Sequence, residues 1–258
     1  VDAVWDFVAQ LSVQLTDDIT ALAPTIAASS VMYDGLGPQP PLVEEGVIVE
    51  PYVVFDTTAG PILIRSGATI SAFSRIAGPC YVGEQTTIVG DRVSNCSIGE
   101  VAKIRGEISS SIVLGHANKG HTGFVGHSYL GRWVNLGAGT TTSNLKNTYG
   151  TVQLWTPSGQ RDTRAFKIGS LIGDHAKTGI GTRLTTGSVI GAGSSVFGTQ
   201  MPPKYVPPFS WGEGSTLEEF RLQKFLEIAE RVMARRSVTL SERGRRQLTA
   251  SHAKARSR

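Results

Sequence analysis

Residues 171–196 read LIGDHAKTGIGTRLTTGSVIGAGSSV, and an apolar or β-branched residue returns at every sixth position of this stretch. The positions are Ile172, Thr178, Leu184, Ile190 and Val196. Earlier residues keep the same step, at Ile64, Ile70, Ile76, Val82, Ile88, Leu130 and Leu136. Four positions after most of these stands a small residue, as at Ala68, Ser74, Cys80, Thr86, Val134, Thr140, Ala176, Thr182, Ser188 and Ser194. Glycine often follows the apolar residue directly, which gives the repeat a second feature.

A step of six excludes the two ordinary amphipathic patterns, because a helix needs apolar residues three and four apart and a half-buried strand alternates by two. The step is typical of a hexapeptide β-solenoid, in which each unit supplies one short strand and one turn and three units complete a triangular coil. The apolar side chains then point into the prism, and each contributes about 1.5–3 kcal/mol by burial. Coils of this hexapeptide type are known as left-handed parallel β-helices. We therefore expect an all-β parallel β-helix with short N-terminal and C-terminal helices. Its left hand is implied by the resemblance to proteins with this repeat and not by the spacing.

Composition and charge narrow the classes of partner. The chain has 258 residues, a net charge of +4 and no run of about 18 apolar residues, so neither a membrane partner nor a signal peptide is predicted. Residues 237–258 hold six basic residues and one acid, leaving 19 basic and 20 acidic residues elsewhere. We interpret this basic end as a solvated, frayed tail, and expect no nucleic-acid partner. Cys80 and Cys96 lack a metal-binding spacing and are expected to be reduced thiols, which fits a cytoplasmic protein.

The repeat is interrupted in three places. Residues 106–126 form a polar segment, and insertions in a solenoid often mark its binding face. Residues 143–167 contain Thr-Val-Gln-Leu-Trp, then Pro157, Ser158 and Gly159, then Arg-Asp-Thr-Arg-Ala-Phe, which predicts a protruding hairpin around a turn. The third interruption, around residues 90–95, is interpreted as a bulge.

The two ends of the chain lie outside the repeat. Val4, Val8, Leu11 and Leu15 predict a short helix on the open end of the solenoid. Four prolines, at 202, 203, 207 and 208, predict an extended strap without a regular ladder of hydrogen bonds. Ser215 and Glu218 then predict a capping box for a helix that extends to about residue 236.

We divide the chain into an N-terminal helix and linker (1–45), a β-helix acyltransferase domain (46–200) and a C-terminal strap, helix and basic tail (201–258). The start at valine predicts processing or a fragment, so that a preceding domain is absent.

His121 is the candidate catalytic residue. Four of the five histidines lie between positions 116 and 175, and His121 falls within the polar interruption. A neutral imidazole accepts a proton near pH 7, so His121 is a candidate general base. A histidine held by backbone hydrogen bonds is the structural alternative.

Residues 120–144, GHTGFVGHSYLGRWVNLGAGTTTSN, closely resemble the acetyltransferase domain of the bifunctional N-acetylglucosamine-1-phosphate uridyltransferase and glucosamine-1-phosphate acetyltransferase family. That family carries Gly-His, then Asn-Ile-Gly-Ala-Gly-Thr fourteen residues after the histidine, then a further Asn; here these asparagines are Asn135 and Asn144. The resemblance extends over residues 60–200. Details such as the Pro-Pro-Phe-Ser-Trp-Gly at 207–212 look more like an alternate branch, often called sugar nucleotidyltransferases.

The resemblance implies an N-acetyltransferase that uses acetyl-CoA and acts on glucosamine-1-phosphate in the synthesis of UDP-N-acetylglucosamine. It implies that His121 is the base and that Asn135 contacts the sugar phosphate. For coenzyme binding it implies Asn144 beside the acetyl group, with Ala138 and Ala192 along the pantetheine arm. Lys146 or Lys119, and more loosely Arg105, are the candidates that neutralise the phosphate. A homotrimer with sites between neighbouring prisms is also implied.

Some positions depart from the family and leave other interpretations open. Phe124 replaces a tyrosine that touches the acceptor, and Ser109 falls where a basic residue is expected, so the acceptor could be a different amino sugar. His127 is assigned a structural role. His116 and His121 have the spacing of the γ-type carbonic anhydrases, which bind zinc through three histidines, but no histidine precedes His116. A non-catalytic solenoid that assembles a nucleotidyltransferase is the third possibility.

Overall fold

The computed structural model describes residues 2–31, 33 and 35–256. Its helices are α1 (Val4–Ala9), α2 (Leu11–Leu22), α3 (Leu222–Ala234) and α4 (Glu242–Arg256), with a 3-10 turn at Ala23–Thr25. Its strands are β1 (Gly35–Leu36), β2 (Leu42–Val43), β3 (Ile48–Val49), β4 (Val54–Asp56), β5 (Ile62–Ile64), β6 (Thr69–Ile70), β7 (Ser74–Val82), β8 (Thr87–Ile88), β9 (Asp91–Ile98), β10 (Lys103–Ile104), β11 (Glu107–Ser109), β12 (Ile112–Val113), β13 (Asn118–Lys119), β14 (Phe124–Gly126), β15 (Tyr129–Leu130), β16 (Thr141–Thr142), β17 (Gln153–Thr156), β18 (Gly159–Asp162), β19 (Ser170–Ile172), β20 (Lys177–Thr178), β21 (Arg183–Leu184), β22 (Ser188–Ile190), β23 (Ser195–Phe197), β24 (Tyr205–Val206), β25 (Ser210–Glu213) and β26 (Thr216–Glu219).

These strands confirm the predicted parallel β-helix. The largest sheet runs through β4, β7, β9, β12, β15, β19, β22 and β24, and β7 and β9 are long enough to continue around a corner of the prism. A second face, here called the cavity face, consists of β3, β6, β8, β10 and β13, and continues through β20, β23 and β25. Single parallel bridges from Asn118 to Asn135 and from Asn135 to Lys177 join the two parts of this face. Parallel pairing begins at Gly35 and extends to Glu213.

The core is the column of side chains that the six-residue step predicts. Ile64, Ile70, Ile76, Val82 and Ile88 are fully buried, and Ile172, Leu184, Ile190 and Val196 are at most 2% exposed. Thr178, the polar member of the series, is satisfied inside by Thr140, with 2.8 Å between the two Oγ1 atoms. Glycine follows the inward residue because the next coil passes too close for a side chain; a Cβ on Gly173 would lie 2.6 Å from the backbone nitrogen of Ala192.

Two predicted interruptions remain within the coils. Residues 107–126 form β11 to β14 in parallel register with their neighbours, and Ile108, Val113 and Val125 are buried, so the polar segment does not leave the solenoid. Residues 91–98 form the continuous strand β9. The shift in register instead lies opposite it, in β7 between Ala77 and Cys80. On β9 the same irregularity falls between Ser94 and Cys96, so it coincides with the end of the interruption predicted at 90–95, although the extra residue lies in β7.

The predicted hairpin at 143–167 is confirmed. Strands β17 and β18 are antiparallel and turn at Pro157 and Ser158. The Trp155 ring stacks on Tyr205, with 3.5 Å between ring centroids, so the hairpin folds back over the solenoid.

The N-terminal helices lie along the side of the solenoid, whereas the sequence predicted a helix on its open end. The buried stripe of α2, which includes Leu15 and Ile19, contacts β7 and β9. In α1, Trp5 packs with Val152 and Leu154 at the base of the hairpin. The stripe covers a flat sheet face because that face offers apolar area across several coils.

The C-terminal segment differs from the prediction in three respects. The proline-rich strap adds a rung, since Tyr205 and Val206 pair in parallel with β22. Ser215 and Glu218 belong to the β25–β26 hairpin and cap no helix, and α3 begins at Leu222. The expected frayed tail is the helix α4, whose buried His252 lies with Nε2 3.0 Å from the carbonyl oxygen of Phe220. Aromatic packing on Phe209 and Phe225 orders this end.

No helix in the described ranges is long and apolar enough to cross a membrane.

Candidate active site

A polar cavity of about 530 Å³ lies between the cavity face of the solenoid and the C-terminal end of α3. The residues that line it are Lys103, His116, Asn118, Gly120, His121, Trp133, Val134, Asn135, Lys177, Val232, Arg235 and Arg236. Its volume falls within the range of about 300–1,000 Å³ that is usual for small-molecule sites.

The floor of the cavity is a row of aligned positions on successive coils. Lys103, Asn118, Asn135 and Lys177 follow one another in parallel register. Side chains at paired positions of parallel strands point to the same side of the sheet, so these four share the outward face. Asn118 Nδ2 donates to Asn135 Oδ1 over 2.7 Å, which fixes Asn135 and leaves its amide nitrogen as a donor toward the cavity.

His121 lies at the edge of this floor, just after β13. Its side chain is exposed and lines the same cavity as Asn135. The structure therefore brings together the predicted base and the predicted acceptor ligand.

Lys119 lies inside the prism and does not face the cavity. It is 1% exposed and pairs with Ile104, an inward residue. Its Nζ donates to the carbonyl oxygens of Arg105 (3.0 Å), Thr122 (3.1 Å) and His121. Burial lowers the pKa of Lys119 to about 8, an effect that Asp91 opposes. The expectation that Lys119 contacts a phosphate is therefore not supported, because its ammonium is occupied in holding the turn that carries His121.

One wall of the cavity is an aromatic corner. The His116 and Trp133 rings lie 4.2 Å apart, and Trp133 and His175 lie 6.1 Å apart, at equivalent turns of successive coils. All three residues have φ near +60°. Burial lowers the pKa of His116 and lowers that of His175 to about 4. His116 also contacts Arg132, whose Nη1 is 3.3 Å from His116 Nδ1 and whose Nη2 donates to Glu100.

The remaining predicted phosphate ligands lie elsewhere. Arg105 is exposed, and its Nε is 3.5 Å from Asp91 Oδ2. Lys146 donates from Nζ to the carbonyl oxygen of Thr151 over 2.9 Å, at the base of the hairpin. Neither residue lines the cavity of His121.

The predicted coenzyme residues are also spread over other parts of the surface. Asn144 Nδ2 lies 2.8 Å from His127 Nδ1, so His127 has a hydrogen-bond partner, as a structural histidine should. Burial, aided by the charge of Lys167, lowers the pKa of His127. Ala138 is half-buried, and its carbonyl accepts from the Gly181 amide over 2.7 Å. Ala192 lines an apolar groove of about 440 Å³ beside Trp155.

Sequence reasoning missed several residues of the cavity. Lys177 could have been found by extending the hexapeptide register, since it stands 42 residues, seven steps of six, after Asn135. Asn118 stands 17 residues before Asn135, so a step of six does not reach it, and only the pairing of the coils places it beside Asn135. Arg235 and Arg236 carry no such signal, because their place depends on how α3 packs on the solenoid. Within the described part of the chain, no group of three or more His, Cys, Asp or Glu residues is placed to hold a metal ion.

The chain is similar in sequence to bifunctional bacterial proteins. It is 28% identical over 179 residues to the bifunctional protein GlmU of Bartonella quintana, covering 64% of this chain and 33% of that protein. It is 30% identical over 193 residues to the bifunctional protein GlmU of Desulfitobacterium hafniense, covering 62% of this chain and 38% of that protein. These values confirm the resemblance seen in residues 120–144. The chain spans less than half the length of these relatives.

Comparison with solved structures finds a hexapeptide transferase family protein from Anaplasma phagocytophilum, with a TM-score of 0.39 and 13% identity over 86% of this chain and 92% of that one. No family model matches the chain.

Proposed function

We propose that this protein is an acetyl-CoA-dependent N-acetyltransferase that acts on glucosamine-1-phosphate or a related amino-sugar phosphate. The observation that carries the proposal is the placement of His121 and Asn135 in one polar cavity. The similarity to the GlmU proteins supports the same reaction class. We also propose that residues 46–200 form the acyltransferase domain, that the protein acts as a cytoplasmic homotrimer, and that its product enters UDP-N-acetylglucosamine synthesis.

In the proposed reaction, the amine nitrogen of the acceptor attacks the carbonyl carbon of the thioester. The C–N bond forms and the C–S bond breaks, His121 accepts the proton of the amine, and that proton passes to the departing thiolate. The products are the amide and free coenzyme A. An exposed imidazole at a cavity wall suits this role because it reaches both solvent and a bound amine.

The neighbouring groups divide the tasks of positioning. Asn135 donates from its amide nitrogen to an oxygen of the acceptor, since Asn118 occupies its Oδ1. Lys119 fixes the backbone of His121 from inside the prism, and a fixed base is a condition for efficient proton transfer. We propose that Asn144, Ala138 and Ala192 bind the coenzyme, as the resemblance implies. Because Ala192 and His121 line different cavities of one chain, the trimer interface is proposed to complete the thioester site.

Release of free thiol tests the proposal directly. The protein is incubated with acetyl-CoA and a panel of amino sugars and amino-sugar phosphates, and the thiol is followed with a chromogenic reagent. We expect release with glucosamine-1-phosphate or a close relative, and its loss in His121→Ala. Thr122→Ala is the matched control, since it changes the adjacent exposed residue.

Other outcomes favour the alternatives. Absence of release with every amino sugar would contradict the proposal and favour an assembly role. Full activity of His121→Ala would exclude His121 as the base. Stoichiometric zinc in the purified protein would favour the carbonic-anhydrase-like interpretation.

A further inference from the structure

Four basic side chains converge on the cavity of His121. Lys103 and Lys177 reach it from the floor, and Arg235 and Arg236 from the end of α3. Among the described residues, no aspartate or glutamate lines the same cavity. The cavity is therefore strongly positive, although the chain as a whole carries a net charge of only +4.

Several basic side chains of the described surface have an acidic partner, and the four cations of the cavity are not among them. Elsewhere, arginines such as Arg75, Arg132 and Arg231 pair with a carboxylate. In the described part of the chain, no ion pair involves Arg235, Arg236 or Lys103. Like charges that converge without a counter-charge repel each other, and a bound anion removes that repulsion.

The surroundings favour an anion that is held firmly. Lys177 is largely buried, and its Nζ donates to the carbonyl oxygen of His175 over 3.1 Å, which sets its direction. Arg236 lies near enough to His116 for its charge to lower the pKa of that histidine. Asn135 supplies a neutral donor on the same floor. Guanidinium groups bind the oxygens of a phosphate in a two-pronged geometry, whereas an ammonium acts as a point charge.

We infer that Arg235 and Arg236, which directly follow α3, form a binding site for a phosphate monoester dianion beside His121, together with Lys103 and Lys177 of the solenoid. The inference deepens the proposed function and rests on it for the role of the bound molecule. In that function two substrates carry such a group: the acceptor at its 1-phosphate, and coenzyme A at its 3′-phosphate. The segment that follows α3 thereby belongs to the substrate site, and in this inference its arginines take the role that the resemblance implied for Lys119, Lys146 and Arg105, which do not line the cavity.

Calorimetric titration of the full chain tests the site without relying on turnover. The probes are glucosamine-1-phosphate, glucosamine, coenzyme A and 3′-dephospho-coenzyme A. The variant is Arg235→Gln/Arg236→Gln. The control is Arg231→Gln, because Arg231 lies in the last turn of α3, four residues before Arg235, but pairs with Glu227 and does not line the cavity.

We expect the double variant to weaken binding of a phosphorylated probe at least about tenfold, since a charge-assisted hydrogen bond contributes more than a neutral one. The control should bind as the parent does. Arg235→Lys/Arg236→Lys should recover part of the affinity, because the charge returns without the fork geometry.

The four probes distinguish whether the bound phosphate belongs to the acceptor or to coenzyme A. Weaker binding of glucosamine-1-phosphate, with glucosamine unaffected, assigns the site to the acceptor. Weaker binding of coenzyme A, with the dephospho form unaffected, assigns it to the coenzyme. Unchanged affinity for both phosphorylated probes in a folded double variant would overturn the inference.

Its failure is distinguishable from failure of the proposed function. If acetyl transfer occurs but the double variant keeps its affinities and KM values, only the phosphate site is wrong. If no acetyl transfer occurs but the double variant loses phosphate binding, the site stands and the reaction is wrong.

Discussion

Acid should destabilise this protein through His175, and the size of the effect follows from the burial of its ring. His175 is 7% exposed, and its ring lies between Trp133 and Phe225. In the described structure its Nδ1 is buried without a hydrogen-bond partner. Burial first, and the charge of Lys177 second, lower the pKa of His175 from 6.5 to about 4.

The sign of the pH dependence follows from linkage. Between pH 6.5 and about pH 4 the unfolded chain binds a proton at His175 that the folded chain does not bind, so the free energy of unfolding falls as the pH falls. At about 1.4 kcal/mol for each pH unit, the contribution of His175 to the free energy of unfolding decreases by about 3 kcal/mol over this window. Below pH 4 both states bind the proton and this contribution changes no further.

Substitution His175→Phe isolates the effect. Phe209 holds the same corner conformation, with φ of 54° against 60° for His175, so a phenylalanine fits this backbone. We expect the free energy of unfolding of the variant at pH 7 to equal or exceed that of the parent. The substitution removes a buried ring nitrogen, Nδ1, that has no hydrogen-bond partner. Urea unfolding at pH 7, 6, 5 and 4 measures the free energy of unfolding of the parent and of the variant as a function of pH. If parent and variant lose stability in parallel from pH 6.5 to pH 4, the reasoning is refuted.

Three further predictions concern the interior of the prism. Lys119→Met should lower the free energy of unfolding by at least about 2 kcal/mol and lower kcat, because it removes the hydrogen bonds that Nζ donates to three carbonyl oxygens and frees the turn of the proposed base. Gly169→Ala should cost about 1–3 kcal/mol or more in urea unfolding, since a Cβ there would collide with the carbonyl oxygen of Gly126. Cys80 and Cys96 should resist a thiol reagent at pH 8 until the chain unfolds, since both are fully buried and burial raises the pKa of Cys96 to about 12.

Controls and contrary results differ for the three. For stability alone, Lys103→Met is the control for Lys119, because Lys103 is exposed and lies on the outward side of the sheet. Its kcat is not compared, since Lys103 belongs to the proposed phosphate site. Equal stability of the two variants would exclude the anchoring role of Lys119. Gly150→Ala is the control for Gly169→Ala. A Cβ added at Gly150 would lie 3.3 Å from its nearest atom, Lys146 Nζ, which stands at the end of a flexible side chain and can move. Modification of either cysteine in the folded protein would contradict the burial of the pair.

The six-residue step was sufficient to predict the solenoid because one rule places every inward side chain. Ile172, Leu184 and Ile190 all point into the same buried core, whatever the identity of the surface residues between them. The hairpin could also be predicted from local sequence, since a proline-containing turn between two short segments favours antiparallel pairing. The helices at the ends were harder to place, because an amphipathic stripe shows that a helix has an apolar face but not which surface the face covers.

Lys119 shows how a local interpretation fails within a repeat. Lys119 stands six residues after Val113 and six before Val125, so the register places it inside the prism. Treating residues 106–126 as a break in the repeat concealed this position. The charge of the side chain suggested a phosphate ligand, whereas the structure satisfies its ammonium with main-chain oxygens.

The sequence alone determined the period of the coils, the inward column and the outward positions of His121 and Asn135, because these properties depend on neighbours along one chain of repeating units. The tertiary structure decided which charges surround them. Arg235 and Arg236 stand about a hundred residues after Asn135 and reach its cavity since α3 packs across the solenoid, a contact that depends on aromatic packing around Phe225. Periodicity specifies contacts between adjacent coils, whereas contacts between the coils and a terminal helix depend on surfaces that exist only after the coils have formed.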